Sequence, residues 1–460
     1  MTSMRCEVAV VGGGPAGALA AFSLAELGRD VILCEAFAFP RDHVGICLGA
    51  GAARILTAVG SGDILCHPAH RESRSMERAW ESDTFEPIAR QDLICDRGIL
   101  DRDLLASAAS FGVRVLQPVR IGARLLTDQG WILHAEGENG GFEIEARFLV
   151  EAGGRRSASK RRRLAPTTVA LFGTWSGDAG AVRLAAMTDA WIWAAPLARG
   201  ETSVLTILDP SDSRLTNMGV DQVHVALARQ ARVLHSNQHL AGSVRAVDAT
   251  PFESFQADGN SLRIGEAALG LDPLSSSGLS AAMQSALAGC AVVQTLLDRN
   301  GDHEAALEYV AASHSRRRTQ HALHTARAYA SAAKRHATAF WADRAGDALG
   351  LEDESAPPLG PPLPHTSAWL TRSSHVRIAP EACVSDGRIE RICAVRVGET
   401  SEPIAFVNGV AVARLLDRLT TPVRACDLVR DWTATIEPKL ALSLLSWAWQ
   451  NEILVDCSAR

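Results

Sequence analysis

The stretch EVAVVGGGPAGALAAFSLAELGRDVILCE, residues 7–35, decides the fold. Residues 7–11, EVAVV, read as a short buried strand. A glycine loop follows, then a helical run over 16–27 and a second apolar strand, VILCE, at 31–35. Gly12, Gly14 and Gly17 have the G-x-G-x-x-G spacing, and Glu35 stands 18 residues beyond Gly17. Each residue type has a physical task in such a unit. Gly12 makes a tight turn, Gly14 lets backbone approach a pyrophosphate, and Gly17 allows close helix–strand packing. Pro15 and Ala16 open the helix, whose N-terminus favours phosphate charge, and Glu35 accepts from a ribose hydroxyl.

The same rhythm returns further along. Residues 92–117 read strand–helix–strand, 147–151 (RFLVE) form a buried strand before AGGRRS, and 261–265 (SLRIG) form another. Residues 165–250 differ, with alternating strand patterns such as 189–209, which turn near Arg199 and Gly200. A helical stretch covers 301–346, and five prolines in 356–364 mark a stiff linker. The expected architecture is α/β: a Rossmann-like dinucleotide-binding domain (1–164 and 251–350) with an inserted β-sheet substrate domain (165–250). A linker (351–366) leads to a small helical, winged-helix-like module (367–460). In that module Thr421–Pro422 read as the N-cap and N1 of a second helix and Glu437–Pro438 as those of a third.

Composition limits the function. Net charge is −6, which argues against nucleic-acid binding. The ten cysteines form no C-x-x-C, so reduced thiols in the cytoplasm are expected, and no metal site. The N-terminus runs directly into a strand, leaving no room for a signal peptide, and no uncharged apolar run suggests a membrane span. Two basic runs stand out, 155–163 with six Lys/Arg and 313–336 with six Lys/Arg and four histidines, neither containing an acid. They read as solvated faces, or as docking sites for an acidic partner or nucleotide phosphates.

Several motifs together resemble those of flavoprotein monooxygenases. The N-terminal glycine unit, AGGRRS at 152–157 with Gly153, and RIGEAALGLDP at 263–273 match that family's three separated FAD motifs. FPRDHVGICLGAG (39–51), with Arg41 and Gly45, resembles a segment of flavin-dependent tryptophan halogenases and geranylgeranyl reductases. CDRGILDRDLL (95–105), with Arg97, is similar to a stretch that lines FAD, and WIWAAP (191–196) to the halogenase W-x-W-x-I-P signature. The resemblance implies FAD, with O2 and NADH or NADPH as co-substrates. It implies that reduced flavin forms a C4a-hydroperoxide, which delivers oxygen to an electron-rich ring. It also assigns parts to the third motif. Glu266 would hold the ribityl chain, Asp272 and Pro273 would fix the loop, Ser275, Ser276, Ser277 and Gly278 would turn helix-end amides to the flavin, and Gly265 and Leu279 would also line the cofactor.

Candidates for chemistry are His43, Cys47, Trp191 and Trp193. In this family His43 and Cys47 lie near the flavin. His43 would relay or abstract a proton, or be a plain polar loop residue. Cys47 would tether flavin or simply pack beside it. Trp191 and Trp193 share one strand face, as walls of a substrate cavity or as core. Halogenases of this family use a lysine to capture hypohalous acid. The three lysines here are Lys160, Lys334 and Lys439, and residues 70–87, where that lysine is expected, carry arginine. The closest resemblance is therefore to flavoprotein monooxygenases that hydroxylate a peptidyl tryptophan in tryptophylquinone cofactor maturation, with a partner polypeptide as substrate. The C-terminal module resembles precursor-peptide-recognition domains, with a capping or dimerising role as the alternative. Alternatives for the whole chain are a hydroxylase or halogenase of a small aromatic, a geranylgeranyl-reductase-like enzyme, or a flavin-bearing chaperone.

Overall fold

A computed structural model describes residues 3–41, 47–348, 364–398, 401–417, 419 and 421–457. The chain divides into two compact units. The first comprises Met1–Leu297 with Arg317–Leu351, and the second Asp298–Arg316 with Glu352–Arg460.

In the first unit, β1 (Ser3–Val11) leads through the glycine loop into α1 (Pro15–Glu26) and then β2 (Val31–Cys34). Both strands pair in parallel, Val8 opposite Val31 and Val11 opposite Cys34. Val8, Ala9, Val10 and all of β2 are buried, as expected for a parallel strand covered on both faces. The strand Gly140–Glu151 lies on the other side of β1, also in parallel, and Ser261–Arg263 pairs with it. The sheet has seven strands, completed by Arg114–Leu116 beside β2 and an antiparallel extension over 119–137. The helix Gly278–Leu297 is long and apolar enough to cross a membrane by composition alone, but most of its apolar residues are buried within the unit.

The second sheet has eight strands and corrects the sequence-based division of the chain. Residues 165–250 supply five strands, and 47–49, 71–79 and 86–94 supply the other three. Arg71–Ala79 pairs in parallel with Val182–Met187, Met76 opposite Val182. Its composition, RESRSMERA, hides the strand, because most of its side chains stay accessible and only Met76 and Ala79 are buried.

Large aromatics fill the space between this sheet and the C-terminal helices of the unit. Trp80, Trp191, Tyr329, Phe340 and Trp341 form one cluster, with Trp80 and Trp341 edge to face at 5.3 Å. On the sheet's other face His224 is fully buried. Trp175 Nε1 donates to its Nε2 at 3.2 Å, so Nδ1 carries the proton and donates to Thr206 Oγ1 at 2.9 Å. Burial lowers the His224 pKa from 6.5 to about 4. Below pH 6.5 the unfolded chain takes up a proton that the native site refuses until about pH 4. This contribution to stability is complete above pH 6.5 and is lost as pH falls through 4, roughly 3 kcal/mol over the window. Urea unfolding across that range should show stability rising with pH. His224→Gln should flatten the slope, and an unchanged slope would refute this assignment.

In the second unit, Trp369–Arg372 pairs antiparallel with Val423–Arg424 and Leu454–Asp456. The hairpin Val376–Ser385/Arg388–Val397 stands beside the start of the long helix His303–Ala333. Arg388 pairs with Asp298, and Arg391 with Glu308 at 2.8 Å. Leu370, Leu416, Leu428, Trp432, Leu444 and Ile453 form its core. Asn408 and Gly409, with φ of 49° and 78°, make the turn of a small hairpin that precedes the first helix, Val412–Leu416. The third helix starts at Pro438 after Glu437, as its sequence indicates. The second corrects the expectation: it begins at Ala425, with Arg424 in the cap position, and not at Pro422. Strand pairing of Val423 and Arg424 with Leu370 and Trp369 takes those residues into the sheet and displaces the local capping signal.

Candidate functional site

The site is built where β1 ends. Gly12 adopts φ of 112°, and a Cβ there would sit 2.5 Å from Ala152 O. A Cβ on Gly17 would lie 1.8 Å from Gly12 O, so helix and turn pack as closely as backbone allows. At Gly14 the nearest atom to such a Cβ is Arg41 Nη2, at 4.0 Å. The space in front of Gly14 is therefore open and faces a cation. Gly14 is the N-cap of α1 without a side-chain cap, and Pro15 occupies N1. The first-turn amides of α1 consequently face that space with no side-chain cap hydrogen bond from the described residues.

Glu35 is 3% exposed. Its carboxylate accepts from Gly13 N at 2.7 Å and Phe37 N at 2.9 Å, and pairs with Arg41 at 3.2 Å. Arg41 in turn lies over the Phe37 and Phe39 rings. Arg97 and Asp101 form a buried i,i+4 ion pair, Nε to Oδ1 at 3.1 Å and Nη2 to Oδ2 at 3.2 Å. Asp96 caps their helix, Arg97–Ser110, accepting from Gly98 N and Ile99 N. Beside the helix start is a cleft of about 110 Å³, lined by Arg41, Arg97, Phe172, Ser203 and Arg245 among others. Ser203 Oγ and Arg41 Nε are buried polar atoms without a hydrogen-bond partner among the described residues. Such atoms mark a place for a polar ligand.

The third motif closes against the first. A Cβ on Gly265, where φ is 59°, would lie 2.7 Å from Ala16 Cβ. Glu266 stands 3.7 Å from Arg155, and Gly153 packs on Ser157. Asp272, 5% exposed, caps the turn Pro273–Ser275 by accepting from Leu274 N at 2.9 Å. Ser276 is left-handed at φ 49°, Ser277 follows, and the helix Gly278–Leu297 begins. Among the described residues, outside its chain neighbours and its own helix backbone, no heavy atom lies within 4 Å of a Cβ at Gly278, while Leu279 is buried.

The four chemistry candidates part company. His43 lies outside the described residues, as does Gly45. Cys47 has its thiol pushed up to about 12 by burial, with Asp92 adding to the shift. A thiol held protonated is a poor nucleophile, which speaks against a flavin tether. Trp191 is 2% exposed in the aromatic cluster, and Trp193 on the same face remains partly accessible. The basic runs are in part compensated within the chain. In 155–163, Arg155, Arg161 and Arg162 face Glu266, Asp248 and Glu253. In 313–336, Arg318 meets Glu253 and Arg335 meets Asp83. Sequence reading missed the cleft residues Ser203 and Arg245, and also His321 and Tyr329, which bond to the third motif. The four histidines of 313–336 were visible, but helical spacing alone does not show what they face.

A largely parallel sheet, a glycine turn at the end of its first strand, a helix N-terminus without a side-chain cap and an acid at the end of the next strand define a dinucleotide-binding unit of the kind flavin-dependent oxidoreductases carry. Residues 5–319 match the FAD binding domain family, and the chain belongs to it. Tryptophan 2-halogenase of Chondromyces crocatus is 28% identical over 339 residues, 66% of this chain and 64% of that protein. The chain thus spans slightly less than two thirds of that relative's length. The fold is similar to that of CmlS, a flavin-dependent halogenase (20% identity, TM-score 0.79, 99% of this chain and 96% of the other). It is also similar to that of QhpG, a peptidyl tryptophan dihydroxylase essential for tryptophylquinone cofactor biogenesis (24% identity, TM-score 0.72, 97% and 99%). The residues present fit FAD: open backbone at Gly14 facing Arg41, an acid beneath the turn, and unpartnered polar atoms in the adjoining cleft.

Proposed function

We propose that this chain is an FAD-dependent monooxygenase of the cytoplasm that hydroxylates a tryptophan side chain in a partner polypeptide, in the manner of tryptophylquinone maturation. The observation that carries the reading is the arginine-for-lysine composition of the region 70–87, now seen to form a strand of the second sheet. Arg71 there pairs with Asp178 at 2.5 Å. An arginine cannot serve as the amine that captures hypohalous acid. The likeness to QhpG over 97% of this chain accords with the reading, although CmlS, a halogenase, is matched over 99%.

Bound FAD, reduced by NADH or NADPH, supplies activation of O2. The protein supplies the rest. The α1 N-terminus and Arg41 would hold the pyrophosphate, Glu35 a ribose hydroxyl, and Glu266 the ribityl chain. The amides at Gly278 and Leu279 would stabilise negative charge on the flavin. Trp193 would wall the ring to be hydroxylated, and the aromatic cluster behind it keeps water from that side. The accessible remainder of the two basic runs would meet an acidic stretch of the partner.

The 28% identity to a tryptophan 2-halogenase favours one rival, halogenation of a free or carried aromatic. Intact-mass analysis of a co-expressed tryptophan-bearing partner separates the two. Hydroxylation adds about 16 or 32 Da per tryptophan, and chlorination about 34 Da. An unmodified partner together with turnover of free indole or phenol would overturn the peptidyl reading.

A further inference from the structure

We infer that His321 and Tyr329, on the long helix, are positioning residues that hold the loop 272–277 in one conformation and tie it to the second sheet. The inference rests on reading that loop as the flavin-facing clasp.

The hydrogen bonds run in one consistent direction. Asp272 N donates to His321 Nε2 at 3.1 Å. Nε2 is therefore an acceptor, and the proton of the neutral ring sits on Nδ1. Nδ1 lies 3.4 Å from Ser277 Oγ and donates to it. Ser277 Oγ is 2.8 Å from Ser275 Oγ, which donates to Asp272 O at 3.1 Å. The path returns to the residue on which it began. It closes a ring around Ser276, whose left-handed φ of 49° needs outside support.

A second line leaves the same aspartate. The indole N–H is a donor only, so Trp191 Nε1 donates to Tyr329 Oη, at 3.1 Å. That hydroxyl keeps its own proton for the Asp272 carboxylate, 3.1 Å from Oδ2. Trp191, Tyr329 and Asp272 are all buried, at 2%, 1% and 5% exposure, so water does not replace these bonds. Trp191 belongs to the strand Ala190–Pro196, in the middle of the second sheet. The sheet that would carry the substrate and the loop that would carry the flavin thus share one rigid connection through the long helix. This accounts for one of the histidines in 313–336 and gives Trp191 a use other than lining a cavity.

The test uses the purified holoenzyme, with FAD content, visible absorption and flavin circular dichroism as readouts, none of which needs a substrate. His321→Phe should retain FAD, its affinity falling by no more than about tenfold, because the first motif carries the pyrophosphate. Its flavin spectrum should change, since the Gly278 amides are no longer held in place. His321→Gln, which can still accept near the Nε2 position, should return the spectrum toward wild type, and it serves as the comparison if the phenylalanine variant does not fold. Tyr329→Phe should alter the spectrum in the same sense. Unaltered flavin spectra in all three variants, with only thermal stability lowered, would overturn the inference. FAD lost from glycine-turn variants alongside that result would leave the cofactor reading intact. Wild-type protein that binds no FAD would instead sink the reading beneath it.

Discussion

Gly17→Val should abolish FAD retention through gel filtration and lower the stability of the chain. The reason is steric. Even a single Cβ would lie 1.8 Å from Gly12 O and 3.0 Å from Ala152 Cβ, and backbone cannot yield as a side-chain tip can. Gly12 cannot move away, because its φ of 112° and its own approach to Ala152 leave no slack. Overpacking costs about 1–3 kcal/mol, and valine at a backbone contact belongs at or above the upper end. The helix start would also be pushed off the axis along which it addresses a phosphate, so affinity should fall by at least about a hundredfold. Gly14→Ala is the informative control, because its Cβ meets only the end of Arg41 at 4.0 Å. It should fold like wild type and bind FAD more weakly. Equal FAD content in Gly17→Val and wild type would rule out the glycine turn as the cofactor cradle.

Asp101→Asn should cost about 3–5 kcal/mol of stability by leaving the Arg97 guanidinium buried opposite a neutral partner. Asp101 has no exposure and Arg97 7%, so solvent screening offers little relief. Both bonds of the pair, at 3.1 and 3.2 Å, are affected by the loss of the acceptor's charge. Replacing both residues by leucine should recover part of that loss, because the buried guanidinium is removed together with its carboxylate, while Arg41, 3.8 Å from that carboxylate, still loses a neighbour. Chemical denaturation of the three proteins measures this, and FAD affinity of the double variant separates two roles for Arg97. Retained affinity would make it a structural brace for the Arg97–Ser110 helix, and lost affinity would make it a cofactor ligand. A stability loss below about 1 kcal/mol in Asp101→Asn would show that the pair is wetter than its burial indicates.

The nucleotide cradle was legible because its information is local. Strand, turn, helix and strand occur within residues 7–35, and the spacing of Gly12, Gly14, Gly17 and Glu35 reflects one contiguous unit. The Glu437–Pro438 helix start was legible for the same reason. Where long-range pairing competes with a local signal, the local signal misleads. Thr421–Pro422 is a good cap on paper, yet Val423 and Arg424 are drawn into a strand beside Trp369. The polar strand Arg71–Ala79 carries little periodicity of its own and is defined by its neighbours, Val182–Met187 and Glu86–Ile94.

Charge shows the same limit. A count of 155–163 suggests an open basic surface, but Asp248, Glu253 and Glu266, about a hundred residues away, stand against three of its arginines. Nothing near those arginines in sequence announces this. The loop 272–277 is the sharpest case. Its aspartate, proline and serines mark it as the proposed clasp, but the side chains that bond to it, His321 and Tyr329, come from a helix some fifty residues on.

By itself, the sequence determined the dinucleotide-binding unit, the order of its motifs and the absence of a lysine in residues 70–87, because each is written in contiguous residues or in composition. Only the tertiary structure decided which strands make the second sheet, which arginines remain accessible and what holds the loop 272–277. Those outcomes depend on which distant backbone edges and buried polar atoms satisfy one another, and a buried donor or carboxylate takes whatever partner the packed chain brings within about 3 Å.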